Sequence, residues 1–306
     1  MLSILIPCHR RTDLLAPCLR SVLRHAPEGA EILVIDDASM EGIVTRTVAT
    51  FAGVKTLRLP RRLGFCGAVN AGIAAAKHEI VELLNDDTEV QPGWTEAPLN
   101  RLHDETVAAV APLVLQWPQG DIIDSAGDAY YIGGVARKRG HGQRRSAKYL
   151  QPRRVFSASG CGAFYRKEAL QAIGGFPEVF GAYFDDIDVG FRLRRAGWEI
   201  WYEPSSTILH HGSASYGKKP HRRLLEQQSR NEELVFWRNM PTALMTQALP
   251  RHGAVLVGKA LRRWREGNFL PFLTGRLRAW AQMPNWWRER STAAVSELEM
   301  RWERGN

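Results

Sequence analysis

At 306 residues, 44% hydrophobic and 24% charged, the chain can bury a sizeable core and has the composition of a soluble globular protein of one large domain or two modest ones. No apolar run approaches the ~20 residues needed to cross a bilayer, and four scattered cysteines (Cys8, Cys18, Cys66, Cys161) with no CxxC pair argue against a disulfide framework or a zinc knuckle. The net charge of +9 resides entirely in residues 218–306, where 17 Lys+Arg face 8 Asp+Glu and six of the ten Trp gather, so a domain over 1–217 and an extension over 218–306 are expected.

Leu2 to Pro7 is nearly all apolar, as a buried parallel strand is. It is too short for a secretory leader and its charges come after it rather than before, so a cytoplasmic location is expected. Thr12 offers a helix cap, and Leu15, Leu19, Val22 and Leu23 share one face. Strands are expected at Glu31–Ile35, ending in Asp36-Asp37, and at Val54–Leu59. A Gly-containing loop and a helix over Ala68–Lys77 lead into the strand Ile80–Leu84, which ends in Asn85-Asp86-Asp87.

Strand and helix alternating with short links imply right-handed crossovers and a parallel sheet covered on both faces. Ligands of such sheets bind outside the carboxyl ends of the strands, so Asp36-Asp37 and Asn85-Asp86-Asp87 would share one crevice. Further on, a helix over Trp94–His103 and a strand over Val107–Leu113 are expected. Residues 116–154 lose periodicity, and Arg137–Arg154 holds eight basic residues and no acid. That run reads as a solvated loop or as a lid over an anionic ligand.

Ser157–Arg166 is strand-like, and Lys167–Ile173 a short helix. Asp185-Asp186 opens an amphipathic helix to Arg195. Trp198–Glu203 and Thr207–His211 read as two short strands, Leu224–Asn239 as a charged helix. Beyond Pro250, short helical pieces separated by Gly267, Pro271, Gly275 and Pro284 are expected.

Taken singly, each acidic pair is compatible with a solvated turn or a helix start, and His210 with a core histidine. Together, Asp36-Asp37, Asn85-Asp86-Asp87, Asp185-Asp186 and His210 put hard oxygens and one imidazole at element ends. That set suits Mn²⁺ or Mg²⁺ with positions open for phosphate oxygens.

Six segments in order (SILIPCHRR, ILVIDDAS, LGFCGAVNAGI, LLNDDTEV, GGFPEVFGAYFDDIDVGFRLRRAG and LHHGSAS) resemble the inverting family 2 glycosyltransferases, notably the bacterial rhamnosyltransferase-like branch, over roughly residues 2–240. The resemblance implies an α/β GT-A fold with a mostly parallel central sheet. It also implies a nucleoside-diphosphate sugar donor, UDP- or dTDP-linked, and a glycan or lipid-linked glycan acceptor in cell-envelope synthesis.

At matching positions, Pro7, His9 and Arg10 would border the base and ribose, with Asp36 or Asp37 bonding the base. Gly64, Phe65 and Asn70 would lie against the nucleoside and diphosphate. Asp87 would bind the metal with His210, rather than His211, and Asn85 stands where the family motif has an Asp. Asp86 would face the donor sugar or ribose, Asp186 would be the general base beside Asp185, and Arg230 with Asn231 would approach the diphosphate. A non-catalytic sugar-nucleotide scaffold of the same fold is the alternative.

The basic, Trp-rich tail carries no nucleic-acid motif, and an acid-lined cleft would repel a phosphate backbone. Ala254, Val255, Leu256, Val257, Leu261 and Trp264 beside Lys259, Arg262, Arg263 and Arg265 fit an interfacial helix on anionic lipid, with Trp280, Trp286 and Trp287 in the headgroup zone. Peripheral attachment to the inner membrane face is therefore expected, with packing on the catalytic domain or on a second subunit as the other reading.

Overall fold

The structure, a computed structural model, describes residues 1–212 and 221–288, with side chains to Met283. The chain divides into two compact units: residues 1–128 with 138–215, and residues 129–137 with 216–306.

The first unit alternates β1 (Leu2–Cys8), α1 (Thr12–His25), β2 (Glu31–Asp36), α2 (Ile43–Val48), β3 (Val54–Arg58), α3 (Gly64–Ala75) and β4 (Ile80–Leu84). β5 (Thr88–Val90), α4 (Glu96–Arg101), β6 (Val107–Gln116) and β7 (Ile123–Ser125) follow. β8 (Asp128–Tyr131) and β9 (Val135–Lys138), which fall almost wholly in the second unit, form a separate two-stranded ribbon. Then come β10 (Arg153–Arg154), β11 (Gly162–Arg166), α5 (Lys167–Ala172), α6 (Asp185–Arg195) and β12 (Glu199–His210).

The main sheet runs β10-β12-β6-β11-β4-β1-β2-β3, with β5 beside β12 and β7 beside β6. β4, β1, β2 and β3 are mutually parallel, as the crossover pattern predicts. β11 breaks the rule, because it lies antiparallel between β4 and β6. Two reversals restore direction, so β6 and β12 point the same way as β4, and all their carboxyl ends reach one edge.

β1 and β2 are buried on both faces, which is why their sequences are continuous rather than alternating. Ile4, Ile6 and Val34 pack with Leu15, Leu19 and Val22 of α1 and with Val44 and Val48 of α2. On the other face α3 comes so near that a Cβ on Gly72 would stand 2.9 Å from Ile35. Each fully buried aliphatic side chain here contributes about 1.5–3 kcal/mol.

Several sequence expectations are corrected. The two strands expected at Trp198–Glu203 and Thr207–His211 are one strand, β12, whose register against β6 shifts between Glu203 and Thr207. α3 begins four residues earlier than expected, at Gly64. The aperiodic stretch 116–154 contains β7, β8, β9 and β10 and is pinned by pairings such as Ile122 with Arg144. It is therefore neither a free loop nor a detached lid.

In the second unit, the short pieces expected beyond Pro250 are two long helices, α8 (Met245–Arg265) and α9 (Phe269–Arg288), and α7 (Arg222–Asn239) packs along α9. Pro271 sits in the first turn of α9, where a missing N–H costs least, while Pro250 lies inside α8 beyond its first turn. The bundle closes on Glu233, fully buried on α7. It accepts from Trp237 Nε1 (2.6 Å) and Trp280 Nε1 (2.7 Å), lies 3.1 Å from His252 Nε2, and pairs with the Arg276 guanidinium. Burial works to raise its pKa, but His252 and Arg276 hold it near about 2. Trp280, expected in a headgroup zone, is thus tied into the bundle. The side chains of Trp286 and Trp287 lie outside those described. No helix among the described residues is long and apolar enough to cross a membrane.

One core residue is unusual. Glu82 on β4 is fully buried, accepts only from Trp94 Nε1 (2.9 Å), and its Oε2 has no partner. Burial pushes its pKa up to about 8, so it is neutral at pH 7. The unfolded chain releases this proton near the ordinary carboxylate range while the folded protein keeps it, so stability falls by up to about 1.4 kcal/mol per pH unit between the two values. Glu82→Gln, which keeps an acceptor for Trp94 and has no proton to lose, is expected to flatten that fall. Thermal unfolding of both proteins across pH 5–9 checks it.

Candidate active site

Three segments meet at the carboxyl edge of the sheet: the Asn85-Asp86-Asp87 turn after β4, the end of β12, and the start of α6. β5 and β12 pair antiparallel with Thr88 opposite His210, and the His211 N–H donates to the Asp87 carbonyl at 2.9 Å. This pairing brings His210 Nε2 to 3.3 Å from Asp87 Oδ1. The two are not aligned as a hydrogen bond, and Asp87 Oδ1 is buried with no hydrogen-bond partner among the described residues. A buried carboxylate oxygen left unbonded costs about 1–3 kcal/mol. Its separation from the imidazole nitrogen is close to the edge of an octahedral shell with bonds of about 2.1 Å, about 3 Å. Asp87 and His210 therefore fit two adjacent ligand positions of a divalent cation.

Behind His210, Nδ1 stands 3.1 Å from Asp124 Oδ2. Asp124, at the middle of β7, also takes Lys138 Nζ at 2.9 Å and lies 3.3 Å from His141 Nδ1. Burial would raise Asp124, but His141, His210 and Lys138 hold it far below the usual carboxylate range. Burial would lower His210, yet Asp124 and Asp87 push it up to about 10. The imidazole thus stands between two carboxylates, bonded to Asp124 and 3.3 Å from Asp87. Cys161 Sγ joins the same group, within 4.8 Å of the ligating atoms of Asp124 and His210. Its thiol is kept protonated by burial.

Asn85 donates its N–H to Cys161 O (3.0 Å), and its carbonyl accepts from Thr88 Oγ1 (2.7 Å). The turn is thereby stapled to the segment before β11. Asp86 is driven up to about 7, by burial first and by neighbouring Asp87. His211 turns away, stacking on Trp117 with ring centroids 4.3 Å apart and lying 3.0 Å from Glu89 Oε1.

The second carboxylate pair opens α6. Tyr183 and Phe184 both take left-handed backbone angles (φ +69° and +66°), strain that non-glycine residues seldom bear and that concentrates at functional sites. Asp185 is buried, and burial plus the adjacent Asp186 push it up to about 8. Asp186 is the more exposed of the two. Burial raises it as well, against the Gly160 N–H (3.2 Å), the Ile187 N–H (2.8 Å) and the charge of Lys138. Gly160 binds Asp186 while its neighbour Cys161 belongs to the His210 group, so one dipeptide links the two carboxylate clusters.

Phe65 reaches this point too. A Cβ on Gly160 would stand 3.8 Å from the Phe65 ring and 4.0 Å from Asp185 Oδ2. The first turn of α3 is placed by Asp37, whose oxygens accept from Leu63 N (2.7 Å) and Gly64 N (3.0 Å), and by Cys66 N donating to Gly181 O (3.2 Å). Gly64 adopts φ +76°, available to glycine without strain.

The remaining expected residues divide. Pro7, His9 and Arg10 stand at the end of β1 beside the end of β2, with His9 Nδ1 2.8 Å from the Asp37 carbonyl. Asp36 is fully buried and spent on the protein, taking Ser39 N, Thr45 Oγ1 and Arg58. Asn70 is engaged by backbone: its amide donates to Phe176 O and accepts from Phe176 N, both at 2.8 Å, an approach only Gly175 allows. Arg230 and Asn231 lie in the second unit, where Arg230 donates to Gln282 Oε1 (2.9 Å). Asp124, Lys138, His141 and Cys161 were not expected at all. Asp124 and His141 sit in an aperiodic stretch and Lys138 is one of eight basic residues, so no local pattern marks them.

Residues 3–174 match the family described as Glycosyl transferase family 2. The chain belongs to this family. Over 212 residues it is 29% identical to the N-acetylglucosaminyl-diphospho-decaprenol L-rhamnosyltransferase of Mycobacterium tuberculosis, covering 62% of this chain and 69% of that one. It spans only 25% of a longer Sinorhizobium fredii protein that it matches at 31% identity. Among solved structures, GalNAc-T7 with UDP, GalNAc and Mn²⁺ superposes with a TM-score of 0.61 at 19% identity, over 82% of this chain and 52% of that one. The Pyrobaculum calidifontis mannosyltransferase PcManGT with GDP-Man and Mn²⁺ gives 0.57 at 17%, over 91% and 86%. These likenesses establish the GT-A fold, with its mixed α/β sheet and C-terminal helices α7–α9.

Asp124 bonds the far nitrogen of a candidate ligand, an arrangement that fixes a histidine's tautomer and aims its other nitrogen. Asp124→Asn is expected to weaken Mn²⁺ binding about 10–100-fold. Titration calorimetry of the two proteins measures it, and equal affinities would assign Asp124 to folding alone.

Proposed function

We propose that this chain transfers a sugar, with inversion, from a UDP- or dTDP-linked donor to a hydroxyl of a glycan or lipid-linked glycan in cell-envelope synthesis. On this reading it works at the inner face of the cytoplasmic membrane. The observation that carries the reading is the unpartnered Asp87 oxygen facing His210 Nε2, one dipeptide away from the Asp185-Asp186 pair. Support comes from family membership, from the Mn²⁺ and sugar nucleotides named for the two structural relatives, and from the lipid-linked acceptor in the name of the mycobacterial one.

Asp87 and His210, with Asn85 beside them, hold Mn²⁺ or Mg²⁺, which when bound neutralises charge on the departing diphosphate. Asp86 faces the donor sugar or ribose. Pro7, His9, Arg10 and Asp37 border the base, while Gly64 and Phe65 lie along the nucleoside. The commitments of Asp36 and Asn70 give these two the task of shaping that wall rather than touching the donor. Arg230 is a further candidate for the diphosphate, on the family resemblance alone.

Asp186 accepts the proton of the acceptor hydroxyl as its oxygen attacks the anomeric carbon on the face opposite the diphosphate. Two backbone N–H groups orient the carboxylate, and burial raises its basicity. Asp186→Asn is expected to cut turnover about 10²–10⁴-fold while nucleotide binding survives, as read by steady-state rates and calorimetry. Near-normal turnover would remove Asp186 from the role.

Asp87→Ala should instead abolish the Mn²⁺ dependence of UDP binding, because it takes away the only charged ligand proposed for the cation. The non-catalytic scaffold remains the competing reading. Metal-dependent release of UDP or dTDP from a donor by the parent protein, absent in Asp186→Asn, decides against it.

A further inference from the structure

The second unit turns an apolar face to water. On α8 the inward positions Met245, Ala248 and His252 are buried, while Val257, Leu261 and Trp264 are 61%, 59% and 70% exposed. With Pro250 and Ala254, also exposed, they recur at spacings of four and three along one side of the helix. Trp264 meets Phe269 edge-on, with ring centroids 5.4 Å apart, and Leu270, 63% exposed, carries the patch onto α9. Leu277, one heptad on, is 52% exposed. A helix packed on a core normally shows polar side chains outward. Here α8 is apolar on both sides.

The exposed charge flanking this stripe is mainly basic. From Met245 to Arg288 there are eight Lys/Arg and a single acid, Glu266. Arg262 and Arg263 share Glu266, and Lys259 and Arg276 are held by Glu232 of α7. Arg251 and Arg265 are exposed beside the stripe. A second copy pressed onto the same face would set Arg251 and Arg265 against their counterparts, with the Glu266 of each chain already shared by Arg262 and Arg263. An anionic surface would complement them.

We propose that the outward face of α8, extended by Leu270 and Leu277 of α9, docks on an anionic phospholipid bilayer. The stripe from Pro250 to Trp264 enters the headgroup–acyl boundary, with Arg251 and Arg265 at the lipid phosphates. This assignment rests on the reading of a membrane-borne acceptor and adds the element that reaches the membrane.

The test is flotation of the full chain with vesicles of phosphatidylcholine alone or containing about a third phosphatidylglycerol. The parent is expected to float with the anionic vesicles, and raised salt to weaken this. The triple change Val257→Ser, Leu261→Ser, Trp264→Ser is expected to lower partition at least about tenfold. Its unfolding temperature should hold, since the residues are exposed. Arg251→Ala with Arg265→Ala should narrow the difference between the two vesicle types. A parent that stays with neither vesicle, or a triple variant that floats like the parent, overturns the proposal. So does a concentration-dependent dimer in sedimentation that the triple change abolishes, which would give the face to a second copy. Metal-dependent UDP release from the donor, measured on the same preparations without lipid, separates the cases. Its failure with flotation intact removes the transferase reading and leaves the docking face standing.

Discussion

The site depends on one pair of strands. β5 has three residues, yet its antiparallel pairing with β12 sets Thr88 against His210 and brings Asp87, 123 positions earlier in the chain, within 3.3 Å of the imidazole. The result is a buried carboxylate oxygen with no donor of its own. Such an atom is costly in a folded protein and is tolerated where a ligand completes it. Asp124, Lys138 and His141 extend the network behind His210, so the imidazole is oriented before any cation arrives.

A second constraint arises where two carboxylates share the start of α6. Burying adjacent acids raises both pKa values, and the backbone reaches this geometry only through two consecutive left-handed residues, Tyr183 and Phe184. Exposure separates the two: Asp185 is enclosed, while Asp186 retains access to solvent and to two N–H donors. The Gly160-Cys161 dipeptide connects this pair to the His210 network. The two candidate carboxylate clusters are thereby joined through one piece of backbone entering β11.

The second unit solves a separate problem with its own polar centre. Glu233 gathers two indole N–H groups, an imidazole and a guanidinium, and these directional bonds register α7, α8 and α9 against one another. Because those partners account for Trp237 and Trp280, the aromatic richness of the tail is partly a matter of internal packing. Among the described tryptophans of the tail, Trp264 is the most exposed, standing outside with Val257 and Leu261.

The amino-acid order by itself determined the parallel half of the sheet, because doubly buried strands must be continuously apolar and helices must show a 3.6-residue stripe. It also made Asp87, Asp185, Asp186 and His210 candidates, since each ends or begins an element whose period is readable locally. The structure alone decided what depends on partners distant in the chain. The antiparallel insertion of β11, the union of two expected strands into β12, and the continuity of α8 and α9 through Pro250 and Pro271 follow from tertiary pairing and packing, which override local breakers. Asp124 and Lys138 were invisible for the same reason: neither lies in a periodic segment, and what makes them matter is their distance from His210, a property of the fold. Asp36 and Asn70 show the converse, residues of the right type at the right spacing whose polar atoms the folded chain has already claimed.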